Sequence, residues 1–265
     1  MQTVKDLPVK YSCYFSRSRE GEQFVPEHTI SYVFSGRIEM NDGLSVQSFN
    51  AGDLYFCRRN QLVKYNKYPE PGGEFNSISI FFDQSTLRNF SLEYGHMPSA
   101  HAIFPAFQSL STDGMLASYM QSLKIYEHML GQPGSRELLA VKQKEAILIL
   151  LQFHPKLKDV LFDFSEPGKV DLEAFMNKNF HFNVELQRFA YLTGRSLSTF
   201  KRDFIKVFGT TPSRWLVKRR LQEAHYLLRE KRKNVSDIYL ELGFEDLSHF
   251  SFAFKKQYGK PPSLV

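Results

Sequence analysis

Residues 197–209 read LSTFKRDFIKVFG, and residues 247–259 read LSHFSFAFKKQYG. Both segments place two Phe residues four positions apart, follow them with an aromatic residue, and end in Gly. Residues at this spacing lie on one face of a helix, and Gly ends a helix well because it adopts the left-handed conformation. The repeat therefore predicts two equivalent helices, each with a buried aromatic face.

Each of these two helices follows a shorter predicted helix and a tight turn. The turn is Thr193-Gly194-Arg195 in the first copy and Gly243-Phe244-Glu245 in the second. A helix, a turn containing Gly and a second helix form the helix-turn-helix motif, whose second helix enters the major groove of DNA. The predicted helices span residues 184–191 and 196–207 in the first unit, and 234–242 and 246–258 in the second. The predicted buried rows are Phe200, Phe204 and Val207 in the first unit, and Leu247, Phe250, Phe254 and Tyr258 in the second.

The segment between the two copies predicts one long helix. Thr211-Pro212-Ser213 begins it, because Pro is preorganised for a first helical turn, and it continues to about Arg229. Val217, Leu221, Ala224 and Leu228 form its apolar seam. A helix of this length spans roughly 25–30 Å, close to the ~34 Å between successive major grooves on one side of DNA. This connector therefore has the length needed to hold two DNA-reading helices one turn apart.

Positive charge is concentrated in this C-terminal part. Residues 168–265 contain 18 Lys and Arg against 10 Asp and Glu, a net charge of +8, which leaves 16 basic and 18 acidic residues elsewhere. A basic region beside a nearly neutral one indicates a polyanionic partner. The length of 265 residues favours two domains. We place them at residues 1–160 and 168–265, with residues 155–168 as the linker.

The N-terminal half changes from a strand pattern to a helical pattern. Short alternating segments from Phe24 to Phe82, with turns such as Asn41-Asp42-Gly43, predict a small barrel or sandwich. The segments from Asp113 to Leu130 and from Glu137 to Phe153 then predict a helical hairpin. Its apolar run, Ala146 to Leu151, has more than one apolar face. That run either covers the chain's own sheet or also meets a second subunit.

The C-terminal residues resemble the AraC/XylS family of transcriptional regulators. The resemblance covers about 85 residues and rests on the following motifs: Phe204 to Gly209, Thr211-Pro212, Arg220-Leu221-Gln222-Glu223-Ala224, Val235-Ser236-Asp237-Ile238, Leu242-Gly243-Phe244, and Ser248 through Phe254-Lys255-Lys256 to Pro262. It implies that one chain reads adjacent major grooves with two helices and recruits RNA polymerase at a promoter. It also implies an N-terminal cupin-like barrel followed by dimerising helices, and the turn Ala51-Gly52-Asp53-Leu54 resembles a cupin turn.

The predicted fold class is therefore α+β. It comprises an N-terminal cupin-like β-barrel with a helical hairpin, followed by an all-α domain of two helix-turn-helix units joined by a linker helix.

The family resemblance also assigns DNA contacts. The positions that read bases fall on Ser198, Lys201 and Arg202 in the first unit, and on Leu247, Ser248, Ser251 and Phe252 in the second. Contacts to the DNA backbone are expected from Asn183, Thr211, Asn234, Lys255 and Lys256, although helix capping also explains the first three. The second unit departs from the family pattern at Phe252, at Tyr239 and at Leu264-Val265. Phe252 either contacts thymine methyl groups or belongs to a unit that grips mostly backbone.

The aromatic-rich N-terminal half suggests a regulatory input. Arg58 and Arg59 are candidate polar contacts for a small organic effector, whereas ordinary aromatic core packing explains the same composition. A regulatory protein partner is a third interpretation. We expect no metal and no cofactor, since His28 has no HxH partner. Cys13 and Cys57 are expected to be buried free thiols.

Other function classes are disfavoured. The sequence contains no GxxxxGK[ST], GxSxG, HExxH or Rossmann glycine pattern, so an enzyme is not expected. It has no run of about 20 apolar residues and no signal-peptide pattern, so we expect a cytoplasmic protein without a membrane partner. The best interpretation is a sequence-specific transcriptional regulator that acts as an activator. The alternative is a non-catalytic ligand- or protein-binding module whose basic helical domain binds nucleic acid non-specifically.

Overall fold

The computed structural model describes residues 8–18, 23–97, 104–111, 114–129, 132 and 134–265. The chain divides into two compact units, one ending at Ser165 and the other formed by Glu166–Val265 with residues 22–24. Asp113, Leu130 and Pro133, which adjoin the predicted helical hairpin, lie outside the described residues.

The first unit is built on antiparallel β-structure. Its strands are β1 (Val9–Tyr14), β2 (Phe24–Val25), β3 (His28–Ser35), β4 (Arg37–Asn41), β5 (Val46–Asn50), β6 (Leu54–Cys57), β7 (Gln61–Leu62), β8 (Lys64–Tyr68), β9 (Phe75–Phe82) and β10 (Phe107–Leu110). They form a five-stranded sheet in the order β1-β9-β3-β6-β10, a three-stranded sheet in the order β5-β4-β8, and the pair β2-β7. Within the described ranges these ladders do not close on each other, so a closed cupin-like barrel is not confirmed.

The five-stranded sheet separates two hydrophobic cores. Because side chains alternate along a strand, Ile30 and Phe56 enter one core, whereas Val33 and Tyr55 enter the other. The first core also contains buried residues of the helices, and the second contains buried residues of β4 and β5. The sheet is therefore covered by helices on one face and by the smaller sheet on the other.

The described residues of the first unit include four helices. They are α1 (Gln84–Tyr94), α2 (Gly114–Ser122), α3 (Ser135–Phe153) and α4 (Lys158–Leu161), with 3-10 segments at Leu123–Met129 and Pro155–Leu157. Helices α2 and α3 lie in the two segments where a helical hairpin is predicted. Helix α1 was not predicted, although Asp83 caps it by accepting a hydrogen bond from the Thr86 amide at 2.9 Å.

The predicted linker is wrong over its first half. Leu157, Val160, Leu161 and Phe162 are buried in the helix-covered core of the first unit. The charged and Pro-containing composition of residues 155–168 hid this short apolar stripe. The chain leaves the first unit only at Ser165, where the second unit begins.

The second unit is all helical in its main elements. Its helices are α5 (Leu172–Asn179), α6 (Leu186–Leu192), α7 (Leu197–Phe208), α8 (Pro212–Arg229), α9 (Val235–Glu241) and α10 (Leu247–Tyr258). Phe200 and Phe204 of α7 and Phe250 and Phe254 of α10 are completely buried. The chain therefore folds as an α+β protein with two helix-turn-helix units joined by α8.

Two residues of the predicted buried rows are exposed. Val207 is 47% exposed, because Phe208 takes the contact with Trp215 at a ring-centre distance of 4.6 Å. Leu247 is 42% exposed at the first position of α10, where Phe244 packs instead on Phe250 with ring centres 5.0 Å apart. In both cases a neighbouring aromatic side chain fills the space that the helical period assigns to the aliphatic one.

Candidate nucleic-acid interface

Local hydrogen bonds fix the entry of α7. Ser196 caps the helix by accepting a hydrogen bond from the Thr199 amide at 3.2 Å. The buried Thr193 hydroxyl donates to the carbonyl oxygens of Phe189 and Ala190, at 2.9 Å each. Gly194 has a φ of +65°, and a side chain there would collide with the backbone of Gly168. The turn between α6 and α7 is therefore tightly constrained.

The predicted base-reading residues of the first helix-turn-helix unit face solvent. Ser198, Lys201 and Arg202 are exposed, while Phe200 and Phe204 on the opposite side of α7 are buried. The Arg202 side chain is 66% exposed and its Nε lies 3.4 Å from the Asp203 carboxylate. An exposed ion pair of this kind is weak, so the guanidinium is available to a base edge or a phosphate.

The second recognition helix presents a different surface. Leu247, Ser248 and Phe252 are exposed and Ser251 is half-buried. Phe252 has 70% of its surface exposed, although it belongs to a helix whose other two Phe residues are completely buried. The outward side of α10 at these positions is therefore small, polar or apolar, and it carries none of the charge found on α7.

Asn183 has a partner that was not predicted. Its side-chain amide donates to the Glu245 carboxylate in the turn of the second helix-turn-helix unit, at 3.2 Å. Helix α6 begins at Leu186, with Glu185 at the N-cap position, so the predicted cap by Asn183 is wrong. The contact joins segments 62 residues apart, so no local pattern indicates it.

The other four predicted backbone contacts are exposed. Thr211 and Asn234 occupy the N-cap positions of α8 and α9, and neither makes a side-chain capping hydrogen bond. Lys255 and Lys256 lie in the last turn of α10. Exposure leaves their hydroxyl, amide and ammonium groups accessible to a ligand.

Arg220 is the residue that sequence reasoning missed. It is buried in α8 and donates hydrogen bonds to the carbonyl oxygens of Phe180, Phe182 and Gly243, each at 2.8 Å. The signal was present in the spacing, since Leu216, Arg220, Ala224 and Leu228 recur every four residues along a buried stripe. An Arg on such a stripe indicates a buried charge with partners elsewhere in the chain.

In the first unit, Arg59 is used by the chain itself. Its guanidinium donates to the carbonyl oxygens of Asp163 at 3.0 Å and Ser165 at 2.7 Å, and its backbone amide donates to His28 Nδ1 at 3.3 Å. Burial, with the nearby charges of Arg59 and Arg58, lowers the pKa of His28 from 6.5 to about 3. His28 is therefore a neutral core residue at physiological pH. Arg58 is half-buried, and its Nε has no hydrogen-bond partner among the residues that the structure describes.

Three further predictions concern thiols, metals and membranes. Cys57 is buried, but Cys13 is exposed at the edge strand β1, where its thiol donates to Glu74 at 3.1 Å, so the prediction that Cys13 is buried is wrong. The described residues include no group of three or more His, Cys, Asp or Glu side chains that could hold a metal ion. Among the same residues, no helix has the length and apolar character needed to cross a bilayer.

Comparison with known proteins gives matches to both units. The family model described as the ExsA N-terminal regulatory domain matches residues 28–160, and a helix-turn-helix domain model matches residues 189–265. The HTH-type transcriptional regulator ExsA of Pseudomonas aeruginosa is 27% identical over 99% of this chain and 95% of its own length. The virulence regulon transcriptional activator VirF of Yersinia enterocolitica is 32% identical over 90% of each chain.

Solved structures show a weaker similarity. An apo form of ToxT from Vibrio cholerae superposes with a TM-score of 0.48 and 11% identity, covering 98% of this chain and 97% of its own. The matches of family models and full-length relatives extend over the regulatory and helix-turn-helix regions together. The chain belongs to the AraC/XylS family and is a DNA-binding transcriptional regulator, not an enzyme.

Proposed function

We propose that the chain activates transcription by inserting α7 and α10 into two adjacent major grooves of its operator. The observation that carries this proposal is the exposed trio Ser198, Lys201 and Arg202 on a helix that two buried Phe residues hold in place. Lys and Arg donate to guanine O6 and N7, and Ser addresses several bases. Activation, rather than repression, is supported by the activator name of the Yersinia relative.

The surrounding charge supports tight contact with the DNA backbone. The C-terminal region carries a net charge of +8, from 18 basic and 10 acidic residues. Phosphate contacts are expected from the exposed side chains of Thr211, Asn234, Lys255 and Lys256. Asn183 also remains a candidate phosphate contact, although its side-chain amide donates to Glu245. This non-specific attraction positions the protein, while α7 supplies most of the sequence discrimination.

The experiment that tests this function selects bound duplexes from a random pool with the full-length chain. We expect a recovered site with two conserved half-sites about one helical turn apart, and an affinity that falls steeply as salt increases. If the chain enriched no sequence, the proposed function would be wrong. That result would favour the alternative, a ligand- or protein-binding module whose basic helical domain binds nucleic acid non-specifically.

The N-terminal unit is proposed to be the regulatory input, with a cupin-like arrangement of its sheets. This is supported by the second core, which the five-stranded and three-stranded sheets enclose between them. We propose that this unit senses a small organic effector or a regulatory protein. Arg58 is a better candidate contact than Arg59, because the guanidinium of Arg59 already binds two backbone carbonyls.

Self-association through α3 is also proposed. Val141 and Leu148 are 61% and 43% exposed, and they lie seven residues apart on one face of α3, while Ile147 and Leu150 are buried against the sheet. A helix with apolar residues on two faces favours the interpretation that the second face meets another copy of the chain.

A DNA-bound activator of this kind would work in the cytoplasm and recruit RNA polymerase.

A further inference from the structure

We propose that Arg220 is a positioning residue that sets the spacing between the two DNA-reading helices. The proposal rests on the proposed reading of two grooves, and it adds the part of the chain that fixes their separation. Arg220 belongs to the connector α8, and its three hydrogen-bond acceptors lie in two other segments. One side chain therefore joins the connector to the segment that leads into the first helix-turn-helix unit and to the turn of the second.

The three carbonyl acceptors lie just before the first helix-turn-helix unit and in the turn of the second helix-turn-helix unit. Arg220 Nε donates to the Phe180 carbonyl and Nη2 to the Phe182 carbonyl, in the segment that leads from α5 into α6. Arg220 Nη1 donates to the carbonyl of Gly243, in the turn between α9 and α10. All three distances are 2.8 Å, within the range of well-formed hydrogen bonds from a charged donor.

The chemistry of this site requires arginine. Arg220 is 8% exposed, and within the described residues it forms no ion pair, so carbonyl dipoles replace its hydration. Burial lowers the pKa of Arg220 to about 10, which still leaves the group charged at neutral pH. A guanidinium presents donors in a planar fork that reaches three acceptors at once, whereas the ammonium of Lys is a single point.

Gly243 shows how closely the turn approaches Arg220. Its φ is +84°, and a Cβ there would lie 2.8 Å from the His181 carbonyl oxygen and 2.9 Å from Arg220 Cζ. The turn therefore accepts no side chain without moving the guanidinium or the segment before α6. The hydrogen bond between Asn183 and Glu245 crosses the same junction at 3.2 Å, so the segment before α6 and the turn between α9 and α10 meet directly beside Arg220.

Each recognition helix has its own support, independent of this junction. Phe204 of α7 packs on Trp215 of α8 with ring centres 5.6 Å apart, and Phe254 of α10 stacks on His225, also of α8, at 6.2 Å. Loss of the Arg220 hydrogen bonds is therefore expected to leave both readers folded and to loosen their mutual placement. A protein in that state binds each half-site normally, but it loses the advantage of binding both together.

The test compares Arg220→Lys with the matched control Arg229→Lys, an exposed position of the same helix. Three duplexes are used: the one that the wild-type chain selects from a random pool, the same duplex with two base pairs inserted between the half-sites, and one with only the first half-site intact. We expect Arg220→Lys to lose about tenfold or more in affinity for the selected duplex, because avidity depends on geometry. Its affinity for the single half-site should change by less than about twofold, and its penalty for the insertion should shrink.

The outcomes separate this proposal from the proposed function. Equal losses on the selected and single half-site duplexes, or no loss on either, would overturn the role of Arg220. Hydrogen exchange of the α7 and α10 amides must remain as slow as in the wild type, and faster exchange in either helix would overturn the claim that each reader folds by its own core. Gly243→Ala should reproduce the Arg220→Lys pattern. If the wild-type chain itself does not prefer the selected duplex over random DNA, the two-groove function fails first.

Discussion

Arg202 is the residue whose side chain is best placed to specify a base. It lies on the solvent face of α7 and makes a weak exposed ion pair with Asp203. We predict that Arg202→Ala costs about 1–3 kcal/mol of binding free energy on the selected site and relaxes the preference at one base position. Affinity measurements on duplexes substituted at each position would locate that base.

Lys256 provides the comparison for Arg202, because it lies at the exposed end of α10 and is expected to meet phosphate. Lys256→Ala should weaken binding to specific and random duplexes by the same factor and make the salt dependence less steep. If both variants lost affinity equally on every sequence, the assignment of Arg202 to a base would be wrong.

His28 predicts an acid-sensitive first unit. Its pKa is lowered to about 3 in the folded chain by burial and by Arg59 and Arg58, against 6.5 ordinarily. The unfolded chain therefore binds a proton below pH 6.5 that the folded chain rejects until about pH 3, so stability is lost as the pH falls through this range. The loss amounts to roughly 2 kcal/mol between pH 6.5 and pH 5.

Urea unfolding of the full chain, followed by circular dichroism at pH 7 and pH 5, measures this loss. His28→Gln should reduce the difference between the two pH values by roughly 2 kcal/mol. Trp215, the single Trp of the chain, lies in the second unit, so its fluorescence reports that unit separately. An unchanged pH difference in His28→Gln would show that other groups cause the acid sensitivity.

Prediction from sequence at the residue scale succeeded where one side chain acts alone. The exposure of Ser198, Lys201 and Arg202 follows from the helical period and the position of two Phe residues. The partners of Asn183 and Arg220 were not predictable in the same way, because each contact joins segments more than 20 residues apart in the chain. Local pattern contains no information on which carbonyl a buried donor will meet.

At the scale of the element, α10 makes its own prediction. Its exposed Phe252 and Leu247 are apolar groups on a helix proposed to enter the major groove, where the thymine methyl is the apolar feature of the base edges. Replacing thymine by deoxyuracil in the second half-site removes that methyl group. We expect the affinity to fall about fourfold for each contacted base, because burying one methyl-sized group contributes about 0.8 kcal/mol.

The matching variant is Phe252→Ala, which should bind the thymine and deoxyuracil duplexes equally well. Competition assays with the two duplexes are sufficient to measure the ratio. If the wild-type chain also bound them equally, α10 would be gripping mostly backbone, and the selectivity of the operator would come from α7 alone.

Elements were predictable in proportion to their periodicity. The two recognition helices and α8 repeat apolar residues over several turns, and their predicted bounds agree with the structure to within a few residues. Helix α5 was missed although Asp171 caps it, because its eight residues give little more than two turns of pattern. The edge strand β1 was missed for a similar reason, since it owes its order to pairing with β9.

The whole molecule is predicted to self-associate through α3. Val141→Glu combined with Leu148→Glu should place two charges on its exposed face and convert a dimer into a monomer. Ile125→Glu is the control, because Ile125 is exposed on the 3-10 segment that follows α2 and not on α3. Sedimentation over a range of concentrations distinguishes these states. A wild-type chain that remains monomeric at all of them would contradict the proposed dimer.

Fold class was predictable for the whole molecule, but the closure of the N-terminal sheets was not. Strand alternation assigns Ile30 and Val33 to opposite faces of β3, but it shows neither that both faces are buried nor which ladder each strand joins. The five-stranded sheet pairs β1 with β9 and β6 with β10, so its order depends on contacts between distant strands. Those pairings follow from packing of the complete unit.

The junction beneath α8 limits how the two readers can be exchanged between relatives. A graft of residues 234–265 from another regulator brings a foreign turn against Arg220, and it will seat only if that turn offers a residue without a side chain and a carbonyl at position 243. Chimeric proteins that carry a side chain at position 243 should fold, but they should bind sites in which the spacing between the two half-sites differs from that of the parent operator. A functional chimera is therefore expected to take residues 180–182, 220 and 243 from the same parent protein.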